Sequence, residues 1–287
     1  MSHETLPSGN SPLEKMATLF FWSTAILVTG LFFWLVANVV MEGMSGLSWN
    51  FLSDIPEEFG RKGGIFPIIC STLLVLVIAI AVAVPISIAT AVYLAEFSRG
   101  SWLSMIVERG LIILAAVPSI VFGLFGSALF CHWLGMGKSI LSGGLTLACM
   151  ILPIMIRALQ AGLEAVPDDY RQAAAALAMT KTRTVISILL PSAAPGLVVG
   201  LVLGVGRVLA ETAALLHTSG FVDRTPESLF DSGRTLSIHI YHLSLGVPGG
   251  RPNAYATALV LLLILMVINS IAIALADKLL KRKVKII

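Results

Sequence analysis

Six runs of apolar residues, each about as long as a bilayer crossing, constrain this chain more than anything else in it. They occupy residues 18–41, 66–94, 103–133, 139–158, 190–216 and 254–276. A helix needs about 20 predominantly apolar residues to cross the hydrocarbon. Only structures that pair their backbone N–H and C=O groups internally persist there. The chain therefore reads as an all-α integral membrane protein with six transmembrane helices. Composition agrees: 57% of the residues are hydrophobic and 12% charged, against about 25% charged in a soluble domain.

Six crossings put both termini on one side. Lys and Arg are retained on the cytoplasmic side of short loops. With the termini inside, twelve basic residues fall inside, among them Lys15, Arg99, Arg109, Arg157, Arg171, Lys181 and Arg183, and six fall outside. Both termini are accordingly expected in the cytoplasm. Residues 1–16 are polar and lack the basic start and small-residue cleavage site of a signal peptide, so they read as a short disordered cytoplasmic tail. Residues 17–62 hold the first helix and an outer loop, 63–277 a core of five helices, and 278–287 a basic cytoplasmic tail that serves as a stop-transfer flank. Nothing points to nucleic acid. Membrane lipid is the surrounding partner.

The fifth run contains a charged pair, Arg207 and Glu211. An arginine at the centre of a bilayer helix costs about 2.5–3.5 kcal/mol on insertion scales, so it calls for a partner, a hydrated cavity or a substrate path. On an ideal helix Gly196, Gly200, Gly204, Arg207 and Glu211 all fall within an arc of about 80°. Glycines at this spacing let another helix approach closely, so that face is expected to look inward, toward a partner or the path between partners. The bland alternative is an intrahelical pair that neutralises itself. Prolines 67, 85, 118, 153, 191 and 195 interrupt the runs. The third run, about 31 residues long, is expected to tilt or bend near residues 117–119.

Several chemistries are excluded. A phosphate-binding loop needs Gly six residues before its Lys, and in HWLGMGKS, residues 132–139, that position is His132. No soluble segment approaches the hundred or so residues of a nucleotide-hydrolysing domain. His239 and His242 lack a third metal ligand, and no metal site is expected. Cys70, Cys131 and Cys149 all lie in apolar runs and read as small buried side chains. No catalytic cluster assembles, so the chain is not read as an enzyme.

Residues 166–191, VPDDYRQAAAALAMTKTRTVISILLP, are polar enough to leave the membrane and Ala-rich enough to be helical. This stretch resembles the coupling loop of ABC importer permeases, whose pattern is Glu-Ala-Ala, three residues, Gly, nine residues, Ile, any residue, Leu-Pro. Gln172, Ala173 and Ala174 stand for the first three, Ala178 for the Gly, and Ile188, Leu190 and Pro191 for the end. Gln for Glu and Ala for Gly are departures. Locally, Asp169 and Gln172 also have capping-box spacing. The run from GGIFPIICSTLLV to VPISIATAVYLAEF, together with VPSIVFGLFG, LPIMIRALQAGLEAVP and GRVLAETAALL, resembles the PstA-type, phosphate-importing branch over most of residues 62–277.

The resemblance implies a type I importer permease fold with a cytoplasmic coupling helix, in a bacterial inner membrane. It implies a homologous PstC-like permease, two copies of a peripheral PstB-like ATPase that use ATP and Mg, and an external PstS-like protein delivering inorganic phosphate. No cofactor is bound by this chain. Arg207, Glu211 and Thr212 match a family segment, as does Arg157. A guanidinium offers a planar fork that fits phosphate oxygens, so Arg207 is the expected anion contact, with Glu211 holding it when the path is empty. Arg157 reads equally as a second anion stop and as a snorkelling interface arginine. Thr212 either donates a hydroxyl to the path or bonds its own backbone. Permeases for phosphite, phosphonate, molybdate or sulfate remain alternatives, as does an ATP-independent anion channel or carrier.

Overall fold

The structure, a computed structural model, describes residues 12–98 and 100–284, with side chains as far as residue 274. Arg99, residues 1–11 and 285–287, and the side chains of the basic cluster at 278–283 lie outside the described residues.

Pro12 opens α1 (Pro12–Met44), a position that suits proline because the first helical N–H needs no partner. Residues 12–16, expected in the tail, are thus the start of the first helix. A short α2 (Trp49–Ser53) and a hairpin of β1 (Pro56–Glu57) and β2 (Lys62–Gly63) lead into α3 (Phe66–Val92), which ends in a wide π turn at Tyr93–Phe97. Next come α4 (Trp102–Ala116), α5 (Ser119–Gly126) and a second π turn at Ser127–Trp133. The long α6 (Ile140–Glu164) is followed by α7 (Asp168–Ala176), α8 (Lys181–Thr184), a third π turn at Val185–Leu189 and α9 (Leu190–Ser192). The remainder is α10 (Ala194–Ala210), α11 (Ala213–Thr218), α12 (Leu236–Leu245) and α13 (Arg251–Val284), so the last helix continues into the expected basic tail.

Among the described residues, four helices are long and apolar enough to cross a membrane on their own, and two bent pairs bring the number to six. The first pair is α4 with α5, turned by 104°. Pro118 disfavours the helical region for the residue before it, and Val117 is extended at φ −67°, ψ 128°. The expected bend near 117–119 is therefore a break that makes two helices of the third run. The second pair, the segments 181–192 and 194–210, bends by 62°. Pro85 and Pro153 sit inside α3 and α6 without ending either helix.

At the centre α3, α6 and α10 pack on one another around Val75, Ala79, Leu147, Ile151, Met155 and Val208. The closest approach is backbone to backbone. A Cβ added to Gly196 would lie 2.6 Å from the Ala158 carbonyl oxygen and 2.8 Å from the Gly162 Cα. The gap then widens along α10: the corresponding nearest distances are 3.2 Å at Gly200 and 3.5 Å at Gly204. The glycine stripe therefore serves the seam with α6 inside this chain, rather than a contact with another chain. Its complement is Ala158 and Gly162, at four-residue spacing on α6. Gly123 on α5 likewise approaches the backbone of Ala214 on α11.

One end of the bundle carries the hairpin, the loop 134–139 and the connection 219–250. The opposite end carries Ser98, Gly100 and Ser101 together with α7 and α8.

Candidate functional site

Arg207 lies in the last turn of α10, where a cation is favoured by the helix dipole. Although an ideal helix puts it on the glycine face, the divergence of α10 from α6 leaves its side chain 48% exposed. Its nearest anionic group is Glu211 Oε2, 3.8 Å from Nη2, too long for a hydrogen bond.

Glu211 is not on that helix. It has extended backbone at φ −79°, ψ 127°, so the shared arc holds for Gly196 to Arg207 and stops there. Its side chain is 7% exposed, and Oε1 accepts from the Ala214 N–H at 3.3 Å. Its own carbonyl accepts from Ser237 Oγ at 2.6 Å. Glu211 thus builds the turn into α11 and fastens it to α12. Thr212 completes the break and is half-buried, with its carbonyl accepting from Leu216 N–H at 3.1 Å. An ion pair within a continuous helix is excluded by this geometry. What remains is a guanidinium with open donors beside a break in the fifth span.

Arg157 does not join it. Its Nη2 donates to the Glu108 carbonyl at 3.2 Å, tying α6 to α4. Because α10 runs antiparallel to α6, Arg207 stands level with residues 147–151, roughly two turns from Arg157.

At the other end, α7 exposes Gln172 and Ala173 and buries Ala174. Leu177, just past its end, is 75% exposed. Asp169 and Gln172 do not form a capping box: the helix begins after Pro167 with no side-chain cap. The termination explains why the resembling pattern has Gly at 178. Ala178 is left-handed at φ 52°, Met179 N–H bonds to Ala174 O at 3.0 Å and Ala178 N–H to Ala175 O at 2.9 Å. That bond pair is a Schellman motif, in which the left-handed residue is usually glycine. Leu190 and Pro191 lie elsewhere, half-buried at the 62° joint, with Leu190 packed on a cluster that includes Leu163, Val166 and Leu189.

Sequence reasoning missed Arg171 as anything beyond a basic loop residue. Its Nη2 donates to Glu96 Oε1 at 2.6 Å and to the Leu163 carbonyl at 3.0 Å. Nε lies 3.2 Å from Glu96 Oε1, and Nη1 bonds the Val166 carbonyl at 2.8 Å and Asp168 Oδ1 at 3.1 Å. The hydrogen bonds with Glu96 push the Arg171 pKa further up. Glu96 is buried because the π turn at 93–97 turns Leu94, Ala95 and Glu96 inward in succession. Nothing in the sequence spacing, 75 residues, announces this pair.

A third arginine, Arg234, is buried in the 219–250 connection. Its guanidinium stacks 4.2 Å from the Phe221 ring centroid, donates to the Phe221 carbonyl at 2.9 and 3.1 Å, and lies 3.5 Å from Asp223 Oδ2. Nη1 is 3.4 Å from His239 Nδ1. Burial, with the nearby charge of Arg234, pushes the His239 pKa down to about 3. A fixed cation beside Nδ1 leaves no place for a metal there. Among the described residues no cluster of three or more His, Cys, Asp or Glu side chains forms elsewhere.

The family described as binding-protein-dependent transport system inner membrane component matches residues 83–285. The phosphate transport system permease protein PstA of Mycobacterium leprae is 31% identical over 89% of this chain and 86% of that protein. A probable ABC transporter permease protein, YqgI of Bacillus subtilis, is 29% identical over 85% of this chain and 87% of its own length. Among solved structures, a chain of a bacterial ABC transporter involved in the import of the acidic polysaccharide alginate covers 93% of this chain and 99% of itself, with TM-score 0.60 at 14% identity. A chain of the inward-facing MetNI methionine ABC transporter covers 76% and 94%, with TM-score 0.53 at 17% identity. The latter two establish the fold alone, that of type I ABC importer permeases.

Proposed function

Because the chain belongs to the family of binding-protein-dependent transport system inner membrane components, as a PstA-type permease, we propose that it is a membrane subunit of an ATP-driven importer of inorganic phosphate. It is a transport subunit and not an enzyme. A homologous PstC-like permease completes the path, and two copies of a PstB-like ATPase supply ATP hydrolysis with Mg. A PstS-like protein delivers phosphate to the end carrying the hairpin and the 219–250 connection. In this reading both termini and α7 are cytoplasmic, and α7 docks the ATPase. Its exposed Gln172, Ala173 and Leu177 support that role, since a short helix with small residues and one projecting apolar side chain suits insertion into a groove.

The observation that carries the phosphate reading is Arg207. It is charged, borne on an apolar span, exposed, and held by no hydrogen bond from Glu211. A guanidinium with free donors offers a fork for an oxyanion. Glu211, fixed 3.8 Å away, disfavours a lingering anion and keeps binding weak enough for release. Thr212 lines the same break. Arg157, fastened to α4, serves as a positioning contact on the path's flank.

The test is ATP-dependent uptake of radiolabelled phosphate in cells cleared of other phosphate importers. The intact protein supports uptake, and both the deletion and Arg207→Ala reduce it to background, with Arg207→Ala still co-purifying with the ATPase. Uptake by Arg207→Ala at the unaltered rate removes Arg207 from the path. Uptake that survives ATP depletion favours the channel reading, and uptake of molybdate, sulfate or phosphonate in place of phosphate reassigns the substrate.

A further inference from the structure

We propose that Arg171 and Glu96 form the joint through which movement of α7 is passed to the second span, α3. The proposal rests on the reading of α7 as the ATPase-docking segment.

The chain offers α7 two covalent routes into the membrane. It leaves α6 through residues 165–167, and it reaches α10 by way of α8 and the 62° joint. Neither route includes α3. Among the described residues, Arg171 is the one side chain of α7 with a hydrogen bond or ion pair outside that helix, and its main partner is on the end of α3. The Arg171 side chain is 18% exposed and that of Glu96 7%, so the pair is shielded from the screening that makes surface pairs weak.

The fan of acceptors adds direction to the contact. A guanidinium is planar and rigid, and here one edge bonds the Glu96 carboxylate while the other donors reach the Leu163 and Val166 carbonyls at the end of α6. The Leu163 carbonyl belongs to the last turn of α6, where a helix leaves acceptors without intrahelical partners, and Val166 lies two residues beyond that helix. Asp168, in the first turn of α7, bonds the same guanidinium. One side chain therefore fixes the ends of α3 and α6 and the start of α7 at mutual angles, and a lysine cannot reproduce this. A cleft of about 220 Å³ between α7 and α8 is lined by Glu96 and Arg171 themselves together with Ala175, Met179, Lys181 and Thr184, so the pair joins α7 to the end of α3 at the wall of an open space rather than within a filled core. A push on α7 thus travels through Arg171 into α3, which forms the core seam with α6.

The complete complex, with ATPase and binding protein, is reconstituted in proteoliposomes, and phosphate uptake and ATP hydrolysis are measured together. Arg171→Ala, Arg171→Lys and Glu96→Gln retain the ATPase in pull-downs and hydrolyse ATP at the basal rate, while uptake per ATP falls about tenfold, a coupling loss of the ordinary allosteric size. Normal uptake per ATP in the assembled single variants overturns the proposal. A purely structural role lowers the amount of assembled complex and leaves uptake per ATP unchanged. If the unaltered complex hydrolyses ATP without moving phosphate, the phosphate reading fails instead, and the same ratio is taken with the oxyanion it does move.

Discussion

The two ends of the transport reading are each organised by an arginine, and the two are treated in opposite ways. Around α7, Arg171 is surrounded by a carboxylate, two backbone carbonyls and a second carboxylate, all within 3.3 Å. At the break in the fifth span, Arg207 has one carboxylate at 3.8 Å, and that carboxylate is occupied with the Ala214 N–H. A guanidinium has five donors. When the fold uses nearly all of them, the residue is part of the framework. When the fold leaves them open in an apolar setting, the residue is available to a ligand.

That contrast is most sharply tested by stability. Arg171→Met removes the guanidinium that bonds both carboxylate oxygens of the buried Glu96 and should cost roughly 3 kcal/mol, the order found when one member of a buried pair is removed. Arg207→Met should stay within about 0.5 kcal/mol, as for a side chain outside any network. Thermal unfolding of the purified protein in detergent measures both, and equal losses would erase the distinction between the two arginines.

Arg234 extends the comparison, being a second fully engaged guanidinium, and its neighbour supplies a pH handle. His239 has a folded pKa of about 3 against an ordinary 6.5, so between those values the unfolded chain binds a proton that the fold excludes. Stability is therefore greatest above pH 6.5 and falls as pH drops toward 3, by about 1.4 kcal/mol per unit. From pH 7 to pH 5 the loss should reach about 2 kcal/mol. His239→Gln, which can still accept from Arg234, should flatten the dependence, and an unchanged slope would assign it to other groups. A smaller change is expected at the α7 end. Ala178→Gly relieves a left-handed alanine and should stabilise by about 1 kcal/mol. No gain in unfolding temperature would mean that the Schellman turn is not held in that conformation.

The fold was legible where it follows from apolar length and from proline. The six runs map onto four long helices and two bent pairs, and Pro118 marks the sharper bend. Legibility failed at residues 211–212, where no Gly or Pro announces the break. An ideal helix carried Glu211 onto the glycine face, whereas a buried carboxylate satisfied by a backbone N–H ends the helix one residue earlier. The glycine stripe was readable as a close contact but not as one made to α6, because the complementary Ala158 and Gly162 acquire meaning only once the two helices are side by side. Of the site, Arg207 stood out because its charge is foreign to its surroundings. Arg171 did not, because a basic residue in a polar loop is ordinary and its partner is distant in the chain. The position of Ala178 was visible as a place in a spacing pattern, and its left-handed backbone gives the reason for the spacing.

The first helix also separates two kinds of attachment. Among its 33 residues Gly43 is the buried one. There and at Gly46 the chain presses against Tyr255 and Ala256 of α13, while the opposite half of α1 touches little of its own chain. Such a helix is a rod about 50 Å long, gripped near one end. Turning it by about 10° at the grip carries the far end through roughly 9 Å, at 1.5 Å of rod per residue. The position of the far half of α1 relative to its own chain is thus set almost wholly by the angle at that one grip on α13.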